Sequence, residues 1–327
     1  MPEPHILRVA HSFINNYTFF GKCDILMKTD FRRIMMPRDL EYKVIPEYDG
    51  AKLVHFLRGH CGFSARLMHK VKYSLLCNGE TVRTIDRIKS GDIINVSIPD
   101  DCASPQAMSA DIDIVYEDDD ILVINKSPFM AMHPTHNHQG NTLANAVAAY
   151  LAEKGRCAAF RAIGRLDKGT SGLVVCALNP LSACKLSGKI KKEYCALVQG
   201  ELSGEGRIDV PIYRPDPMKT LRACSYEKGV EPAATGWKCE RRFEGATLIA
   251  LRLETGRTHQ IRVHMAYSGH PLAGDGMYGS FMTEIGHQLL HCRRCSFVHP
   301  VSGENMELEA PLPPDFIKTL NSFVEIV

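Results

Sequence analysis

The sequence predicts an α+β protein in which a domain with a mixed, largely antiparallel central sheet follows a small α+β domain. From about residue 111, short strands and short helices alternate without a regular strand–helix–strand repeat. Residues 43–98 show the order helix, helix, hairpin, and residues 99–110 are polar and contain two prolines, as a linker does. We therefore predict an N-terminal extension over 1–42, for which no role is indicated, and a large domain over 111–327.

The small domain is predicted to carry a basic helix. Residues 53–57 place apolar side chains at helical spacing, and Ser64 is a favourable N-cap for a second helix. Arg66 and Lys70, four residues apart, share a face of that second helix. Asn78-Gly79 then predicts a hairpin turn. This order is typical of a small RNA-binding module, although a surface helix with a solvated basic face accounts for the charges equally well.

Capping residues place two helices between the strands of the large domain. Thr142 caps a helix that Gly155 ends. Asn179 followed by Pro180 opens a second helix, predicted over 181–192. Strands are predicted where apolar residues run or alternate, at 193–198, 246–254 and 295–300.

The composition excludes several classes of protein. The 327 residues carry 39 Lys+Arg against 37 Asp+Glu, and 45% of them are hydrophobic, which is typical of a globular chain and not of a disordered one. No apolar run approaches the roughly 18 residues that a membrane span needs, and the N-terminus lacks a signal-peptide pattern. The 12 cysteines, mostly single and in apolar surroundings, indicate reduced thiols, so we expect a cytoplasmic protein.

A glycine-rich segment over 164–175, GRLDKGTSGLVV, is the first candidate for a functional site. Asp167 lies on this loop just before an apolar strand, and Arg165 precedes it by two residues. Gly169 and Gly172 permit a tight loop and the close approach of a ligand. An aspartate that binds the backbone of its own turn is the alternative interpretation.

The second candidate segment is LETGRTHQIRVHMAYSGHPLAGDGMYG, over 253–279. Thr258 can cap a helix, on which His259 and Arg262 share a face near the N-terminus. A guanidinium at that place could neutralise a carboxylate or a phosphate, or could simply form a salt bridge within the helix. Tyr194, after a basic helix end, could stack on a nucleic-acid base or could be an ordinary core tyrosine.

The sequence indicates neither a metal ion nor an organic cofactor. His291, Cys292, Cys295 and His299 have a spacing that resembles zinc ligation. One CxxC with two flanking histidines and no second CxxC is at best a moderate signal, and two paired strands explain the spacing without an ion. The chain has no Walker-type phosphate loop, no dinucleotide-binding fingerprint and no G-x-S-x-G motif.

Taken together, these segments resemble the RluA-type pseudouridine synthases. The segment over 164–175 is similar to their H-R-L-D-x-x-T-S-G-L motif, and KKEYCALVQG over 191–200 is similar to K-x-Y-x-A-L-V-x-G. TGRTHQIRVHMAYSGHPLAGDGMYG is similar to their T-G-R-T-H-Q-I-R-x-H-x-A-x-x-G-x-P-x-x-G-D-x-x-Y segment. The resemblance runs in order from about 111 to 318. Residues 43–98 resemble the S4-like RNA-binding domain that often precedes this catalytic domain.

Two positions depart from the family pattern. Gly164 stands where the family usually has a histidine, and Ser127-Pro128-Phe129 replaces the usual K-P-x-G turn after Lys126. Neither departure touches the aspartate. The first affects how a target loop is held.

The resemblance implies an enzyme that breaks the bond from ribose to uracil N1, turns the base and joins it again at C5, a reaction that requires no cofactor. It assigns Asp167 as the catalytic carboxylate, either as nucleophile or as the base that starts elimination. Arg262 would pair with Asp167, and Tyr194 would stack on the flipped uracil and assist proton removal. The residues implied to contact RNA are Arg165, Arg257, His259, Arg66 and Lys70.

The implied partner is RNA, with large-subunit ribosomal RNA as the expected substrate and tRNA as an alternative, and we expect a monomer with no membrane association. Two other functions could use the same residues. An inactive RNA-binding or ribosome-assembly factor of the same fold is disfavoured, because the three implied catalytic residues are all in place. An N-glycosidase would also use a carboxylate that faces an anomeric carbon, and would release free uracil.

Overall fold

The computed structural model describes residues 37–99, 105–135, 140–156, 158–228 and 230–326. The predicted extension over 1–42 lies outside these residues except for its last six. Among the described residues, no helix combines the length and the apolar character needed to cross a lipid bilayer.

The strands and helices are short and alternate irregularly, as the sequence predicts. The strands are β1 (Arg38–Lys43), β2 (Leu75–Cys77), β3 (Glu80–Thr81), β4 (Ile93–Ile98), β5 (Asp113–Glu117), β6 (Ile121–Lys126), β7 (Arg161–Ala162), β8 (Ser171–Ala177), β9 (Lys191–Gln199), β10 (Glu205–Asp209), β11 (Ile212–Tyr213), β12 (Ala223–Cys224), β13 (Ala234–Phe243), β14 (Ala246–Leu253), β15 (Leu290–Val298), β16 (Asn305–Glu309) and β17 (Glu325–Ile326). The α-helices are α1 (Leu53–Gly59), α2 (Ala65–Val71), α3 (Leu143–Glu153), α4 (Pro180–Leu186), α5 (Gln260–Tyr267) and α6 (Pro314–Leu320).

The small N-terminal part consists of α1, α2 and an antiparallel sheet in the order β1-β4-β2-β3. The side chain of Ser64 caps α2 by accepting the amide hydrogen of Leu67, as predicted. Strand β1 begins at Arg38, five residues before the predicted boundary at 43, because its pairing with β4 starts there. The likeness of this part to an S4-like domain stays a prediction, as does the division into domains.

The large sheet contains eleven of the described strands. Its main order is β10-β13-β14-β9-β15-β8-β6-β5, and only the pairing of β15 with β8 is parallel. The predicted α+β class with a mixed, largely antiparallel sheet is therefore confirmed. The apolar core lies around this sheet, where side chains of β6, β8 and β9 pack with those of α3 and α5.

Helix α4 is shorter than the sequence predicts. It ends at Leu186 and not at residue 192, because Gly188 takes a positive φ of 71° and β9 starts at Lys191. Helix α3 begins as predicted, with a capping box between Thr142 and Asn145. The Asn145 side chain also donates a hydrogen bond to the carbonyl of Gln106, so part of the predicted linker is held against α3.

Gly172, on β8, lies directly beside Cys292 of the parallel neighbouring strand β15. Its φ is +103°, which L side chains rarely adopt, and a Cβ atom there would lie 2.3 Å from the carbonyl oxygen of Cys292. Because that neighbour is backbone in a paired strand, it cannot move without disrupting the sheet. The glycine therefore permits the parallel pairing that places the loop before β8 beside β15.

We expect Gly172→Ala to lower the free energy of unfolding by about 3 kcal/mol or more, because it adds both a steric clash and an unfavourable φ. Gly245→Ala is the matched control: Gly245 has a φ of +72° but nothing within 4 Å of its Cβ position, so it should lose only about 1 kcal/mol. Urea unfolding of the two variants measures the difference. Equal losses would show that the contact with β15 is not tight.

Candidate active site

A cleft of about 910 Å³ opens between the loop before β8, the start of β9 and the loop from β14 to α5. It is lined by every predicted site residue of the large domain, namely Asp167, Tyr194, Arg262, Arg165, Arg257 and His259. The other two predicted residues, Arg66 and Lys70, lie on α2 of the small N-terminal part and are not in this lining. The structure therefore brings together predicted site residues that are distant in the sequence. The most distant two, Arg165 and Arg262, are 97 positions apart.

The loop that carries Asp167 is fixed on one side by a buried lysine. Lys126, at the end of β6, is 1% exposed, and its Nζ donates hydrogen bonds to the carbonyls of Ser127 (2.7 Å), Met130 (2.9 Å) and Lys168 (3.2 Å). Burial lowers the pKa of Lys126 to about 7, and the charge of Asp167 acts in the opposite direction. Lys126 thus fixes the backbone at the residue that follows Asp167.

The other side of the same loop is held by β15 and the residues before it. The Nδ1 of His287 donates to the carbonyl of Gly169 at 3.1 Å, and the Gln288 side chain donates to Thr170 Oγ1 at 3.1 Å. The amide of Thr170 in turn donates to the carbonyl of Asp167 at 3.0 Å, which closes a turn. The Asp167 backbone therefore has little freedom, while its side chain remains 19% exposed in the cleft.

Arg262 joins Asp167 to a second, buried carboxylate. Its Nε and Nη2 lie 2.6 Å and 2.8 Å from the two carboxylate oxygens of Asp275, which is 2% exposed. This two-point contact fixes the plane of the guanidinium. The remaining terminal nitrogen, Nη1, lies 3.4 Å from Asp167 Oδ2. The predicted pairing of Asp167 with Arg262 is present, and both residues face the cleft.

Charges around Arg262 keep the guanidinium protonated in spite of its burial. Burial alone would lower the pKa of Arg262, but the hydrogen bonds and charge of Asp275, together with the charge of Asp167, raise it above its ordinary value. The guanidinium also lies 5.0 Å from the centre of the Tyr278 ring, a cation–π distance. Asp167 therefore always faces a positive charge.

His259 lines the cleft at a position next to Asp167. Its Nε2 is 3.8 Å from Asp167 Oδ2, and its Nδ1 is hydrogen-bonded to the Tyr278 hydroxyl at 2.9 Å. Burial lowers the pKa of His259, opposed by Asp167 and reinforced by the positive charges of Arg262 and Arg222. His259 is therefore neutral at neutral pH, and its contacts support the position of the carboxylate.

Tyr194 is a buried tyrosine that also reaches the cleft. It is 6% exposed and lies on β9, directly opposite Cys292 of the neighbouring strand β15. Burial, together with Cys292 and Asp167, raises the pKa of Tyr194 well above its ordinary value. The phenol therefore stays neutral. The sequence left open whether Tyr194 is a core residue or a residue that stacks on a base. Its ring belongs to the apolar core and also lines the cleft.

The start of α5 differs from the prediction. The N-cap residue is His259, in a left-handed conformation with φ 57°, and Thr258 makes no capping hydrogen bond. Thr258 Oγ1 instead accepts a hydrogen bond from Arg165 Nη2 at 3.1 Å. The exposed Arg165 thus spans the cleft from the Asp167 loop to the loop before α5. His259 itself adopts the left-handed conformation, and in this conformation its side chain lies next to Asp167.

Arg257 has protein partners of its own. Its Nε donates to the carbonyl of Pro232 at 3.1 Å, and its Nη1 lies 3.7 Å from a carboxylate oxygen of Glu231. Its guanidinium is exposed, and these contacts hold it at the rim of the cleft. The pairing reduces its capacity to bind a phosphate relative to an unpaired arginine.

The four residues with zinc-like spacing have separate partners. His291 is hydrogen-bonded to Ser171 Oγ and to the carbonyl of Ala310, and Cys292 contacts Tyr194. They lie along a single strand, β15, and His299 lies in the turn that follows it, so the spacing reflects strand geometry.

Sequence reasoning missed three residues that hold the site. Asp275 and Tyr278 occur in the quoted G-D-x-x-Y part of the second segment, so a signal was present, but nothing in it indicated that Asp275 would bind Arg262. In the sequence, Lys126 stands out only as the residue before the unusual turn Ser127-Pro128-Phe129. A lysine at the end of the apolar strand ILVINK is the signal that could have drawn attention to it.

Comparison with known proteins places this cleft in a family. Residues 120–267 match the family model for RNA pseudouridylate synthase. The chain is 38% identical over 278 residues to the uncharacterized RNA pseudouridine synthase YjbO of Bacillus subtilis (strain 168), covering 80% of this chain and 96% of that protein. It is 37% identical to ribosomal large subunit pseudouridine synthase D of Vibrio vulnificus (strain CMCP6), covering 71% and 77% of the two chains.

A solved structure has the same fold. Human RNA pseudouridylate synthase domain containing 1 superposes with a TM-score of 0.54 at 24% sequence identity, covering 66% of this chain and 89% of that chain. Identity to the bacterial relatives, over most of both chains, establishes more than the fold. The protein belongs to the RluA-type RNA pseudouridine synthase family, whose members are isomerases that convert uridine to pseudouridine in RNA.

Proposed function

We propose that Asp167 is the catalytic carboxylate of this pseudouridine synthase and that its substrate is a uridine in large-subunit ribosomal RNA. The observation that carries the first part is the Arg262 guanidinium, which is fixed by Asp275 and presents its free nitrogen 3.4 Å from Asp167. The second part rests on bacterial relatives that are named ribosomal large subunit pseudouridine synthase D. Two of these are 35–37% identical to this chain.

The reaction moves the glycosidic bond from N1 to C5 of the same uracil. An ionised carboxylate near the anomeric carbon C1′ can either attack that carbon or accept a proton and so start an elimination. Both routes need the carboxylate to be charged and accurately placed. Arg262 supplies the charge partner, while Lys126 and His287 hold the loop. The site supports either route, and Asp167 starts both.

Tyr194 is proposed to bind the base. Its ring lines the cleft beside Asp167, and every base offers a π-face to a ring of this kind. Its hydroxyl is neutral, because burial raises the pKa of Tyr194 well above its ordinary value. In this protonation state it cannot act as a phenolate, and it can take the proton from C5 only as a relay that passes its own hydroxyl proton to water at the same time.

The rim of the cleft is suited to a phosphate backbone. Its lining contains seven basic side chains, Arg165, Lys191, Lys192, Arg252, Arg257, Arg262 and Arg294, against four acidic ones, Asp167, Glu193, Glu254 and Glu307. Arg165 spans the mouth of the cleft and is placed to contact a backbone phosphate or to fill the space that a flipped nucleotide leaves. Unstacking the uridine costs a few kcal/mol, which these contacts offset.

Arg66 and Lys70 are proposed to contact RNA outside the cleft. They lie on α2 of the small N-terminal part and are not in the cleft lining. A ribosomal RNA target is consistent with the expected cytoplasmic location and monomeric state, both of which stay predictions. Mapping of pseudouridines in ribosomal and transfer RNA from cells with and without the gene identifies the target. A site lost only from tRNA would replace the ribosomal assignment.

We expect Asp167→Asn to lower the rate of tritium release from C5-labelled uridine RNA by about a thousandfold or more, because the amide can neither attack C1′ nor accept a proton. RNA affinity should change little. Asp113→Asn, at an exposed position on β5 outside the cleft lining, is the control and should keep the wild-type rate. Tritium release by Asp167→Asn at the wild-type rate would contradict the assignment.

We expect Tyr194→Phe to keep the affinity for RNA but to lower the single-turnover rate by about a hundredfold, since the ring can still stack while the hydroxyl proton is lost. Tyr194→Leu should lose affinity as well. Quench measurements at saturating enzyme separate the two effects. An unchanged rate for Tyr194→Phe would mean that the hydroxyl takes no part in the reaction.

We expect the double variant Arg66→Ala with Lys70→Ala to weaken ribosomal RNA binding and to reduce the slope of log affinity against log salt concentration by about 1 to 2, as the loss of two phosphate contacts requires. Lys238→Ala with Arg241→Ala removes two cations from β13 outside the cleft lining and is the control. If both double variants lose the same affinity, α2 has no particular role.

A further inference from the structure

The small N-terminal part is attached to the large sheet by a largely buried ion pair. Arg38, at the start of β1, donates from Nε to Asp120 Oδ1 at 3.0 Å and from Nη2 to Oδ2 at 2.8 Å. Asp120 precedes β6 and is 3% exposed. The side chain of Asn179, the N-cap of α4, donates a further hydrogen bond to Asp120 Oδ1 at 2.7 Å. The carboxylate thus binds β1 and α4 at the same time.

Apolar packing reinforces this contact. Leu181, in the first turn of α4, is 0% exposed and belongs to the apolar cluster of the small part, together with Phe56, Leu57 and Phe63. The backbone at Gly62, which precedes α2, lies against Lys185 of α4, since a Cβ atom there would be 3.0 Å from Lys185 Cε. A residue of the catalytic part therefore completes the core of the small part.

The loop that carries Asp120 is held by its own contacts. Asp118 Oδ1 accepts the amide hydrogens of Asp120 and Ile121, at 2.7 Å and 2.8 Å, and its Oδ2 lies 2.8 Å from His299 Nε2. The three side chains Asp118, Asp120 and His299 lie close enough together to hold a metal ion. Because protein donors already occupy these carboxylates, the cluster serves to position Asp120.

Helix α4 connects this contact to the cleft. Its first turn is inserted in the small part, and the chain after its last turn reaches the cleft lining at Gly188, Lys191 and Lys192. Seven residues of α-helix span about 10 Å. One short helix therefore joins the core of the small part to the rim of the cleft.

We propose that the contact of Arg38 with Asp120 and Asn179 fixes the small part so that α2, the segment 187–192 and the cleft form one continuous surface for a folded RNA. This inference rests on the proposed function. The cleft receives the target uridine, and the exposed lysines at 189 and 191 bind the backbone between the cleft and α2. If the small part is already fixed in place, it loses no rotational freedom when RNA binds. A small part on a flexible tether would lose this freedom, and RNA would bind more weakly.

The test compares Arg38→Ala with Arg83→Ala in the full-length protein. Arg83 forms an exposed ion pair with Asp86 within the small part, so the control removes one arginine and one ion pair from the same part of the chain. The probes are in vitro-transcribed large-subunit ribosomal RNA and a uridine heptamer, which is long enough only for the cleft. We expect Arg38→Ala to bind the long RNA about tenfold more weakly than Arg83→Ala. The two variants should bind the heptamer equally.

Small-angle X-ray scattering gives a readout that is independent of RNA. We expect Arg38→Ala to have a larger radius of gyration than wild type, whereas Arg83→Ala should match wild type. Asp120→Asn should behave like Arg38→Ala and replaces it if that variant does not fold. Equal affinities of Arg38→Ala and Arg83→Ala for the long RNA, or unchanged scattering, would overturn the inference. If the wild-type protein binds neither RNA, the proposed function fails, and the scattering alone decides whether the contact fixes the small part.

Discussion

The site depends on the orientation of the Arg262 guanidinium. A buried cation is costly unless it is paired and hydrogen-bonded, and Asp275 meets this requirement with both carboxylate oxygens. Because that contact uses two nitrogens in a plane, the direction of the third is determined, and it points to Asp167. Asp275 therefore does not need to reach the substrate to influence the reaction. A change at Asp275 would allow Arg262 to rotate, and Asp167 would lose its charge partner although its loop stays in place.

The fold supplies a rigid loop opposite this guanidinium. Lys126 binds the loop from β6, and His287 with Gln288 binds it from the segment before β15. Gly172 lets β15 approach closely enough for the second set of contacts to form. Catalysis that depends on accurate placement of one charge benefits from such preorganisation, since no rearrangement is required when the substrate arrives. The sheet thus contributes to the reaction because its strands stabilise the turn that carries Asp167.

Local sequence patterns predict the fold class, whereas the residues that line the cleft follow from the resemblance to the RluA-type family, since each pattern alone left them ambiguous. Thr142, Ser64 and Asn179 cap helices as predicted, because capping involves only neighbouring residues. The start of α5 was not predictable in this way. The Gln260 side chain accepts the amide hydrogen of Arg257 and binds Ala234 on β13, so tertiary contacts decide that His259, and not Thr258, occupies the cap position. The attachment of β1 through Arg38 was also invisible, since Asp120 is 82 residues away.

The central claim is that the Asp167 carboxylate lies against the sugar of a flipped uridine. The most direct test is a crystal structure of the Asp167→Asn protein with a bound RNA that contains its target uridine, because this variant keeps the shape of the site. The account predicts that the side chain at position 167 lies within about 3.5 Å of C1′ of the flipped nucleotide, with the uracil against the Tyr194 ring. A uridine that remains stacked in the RNA, or a C1′ atom closer to another carboxylate, would contradict it.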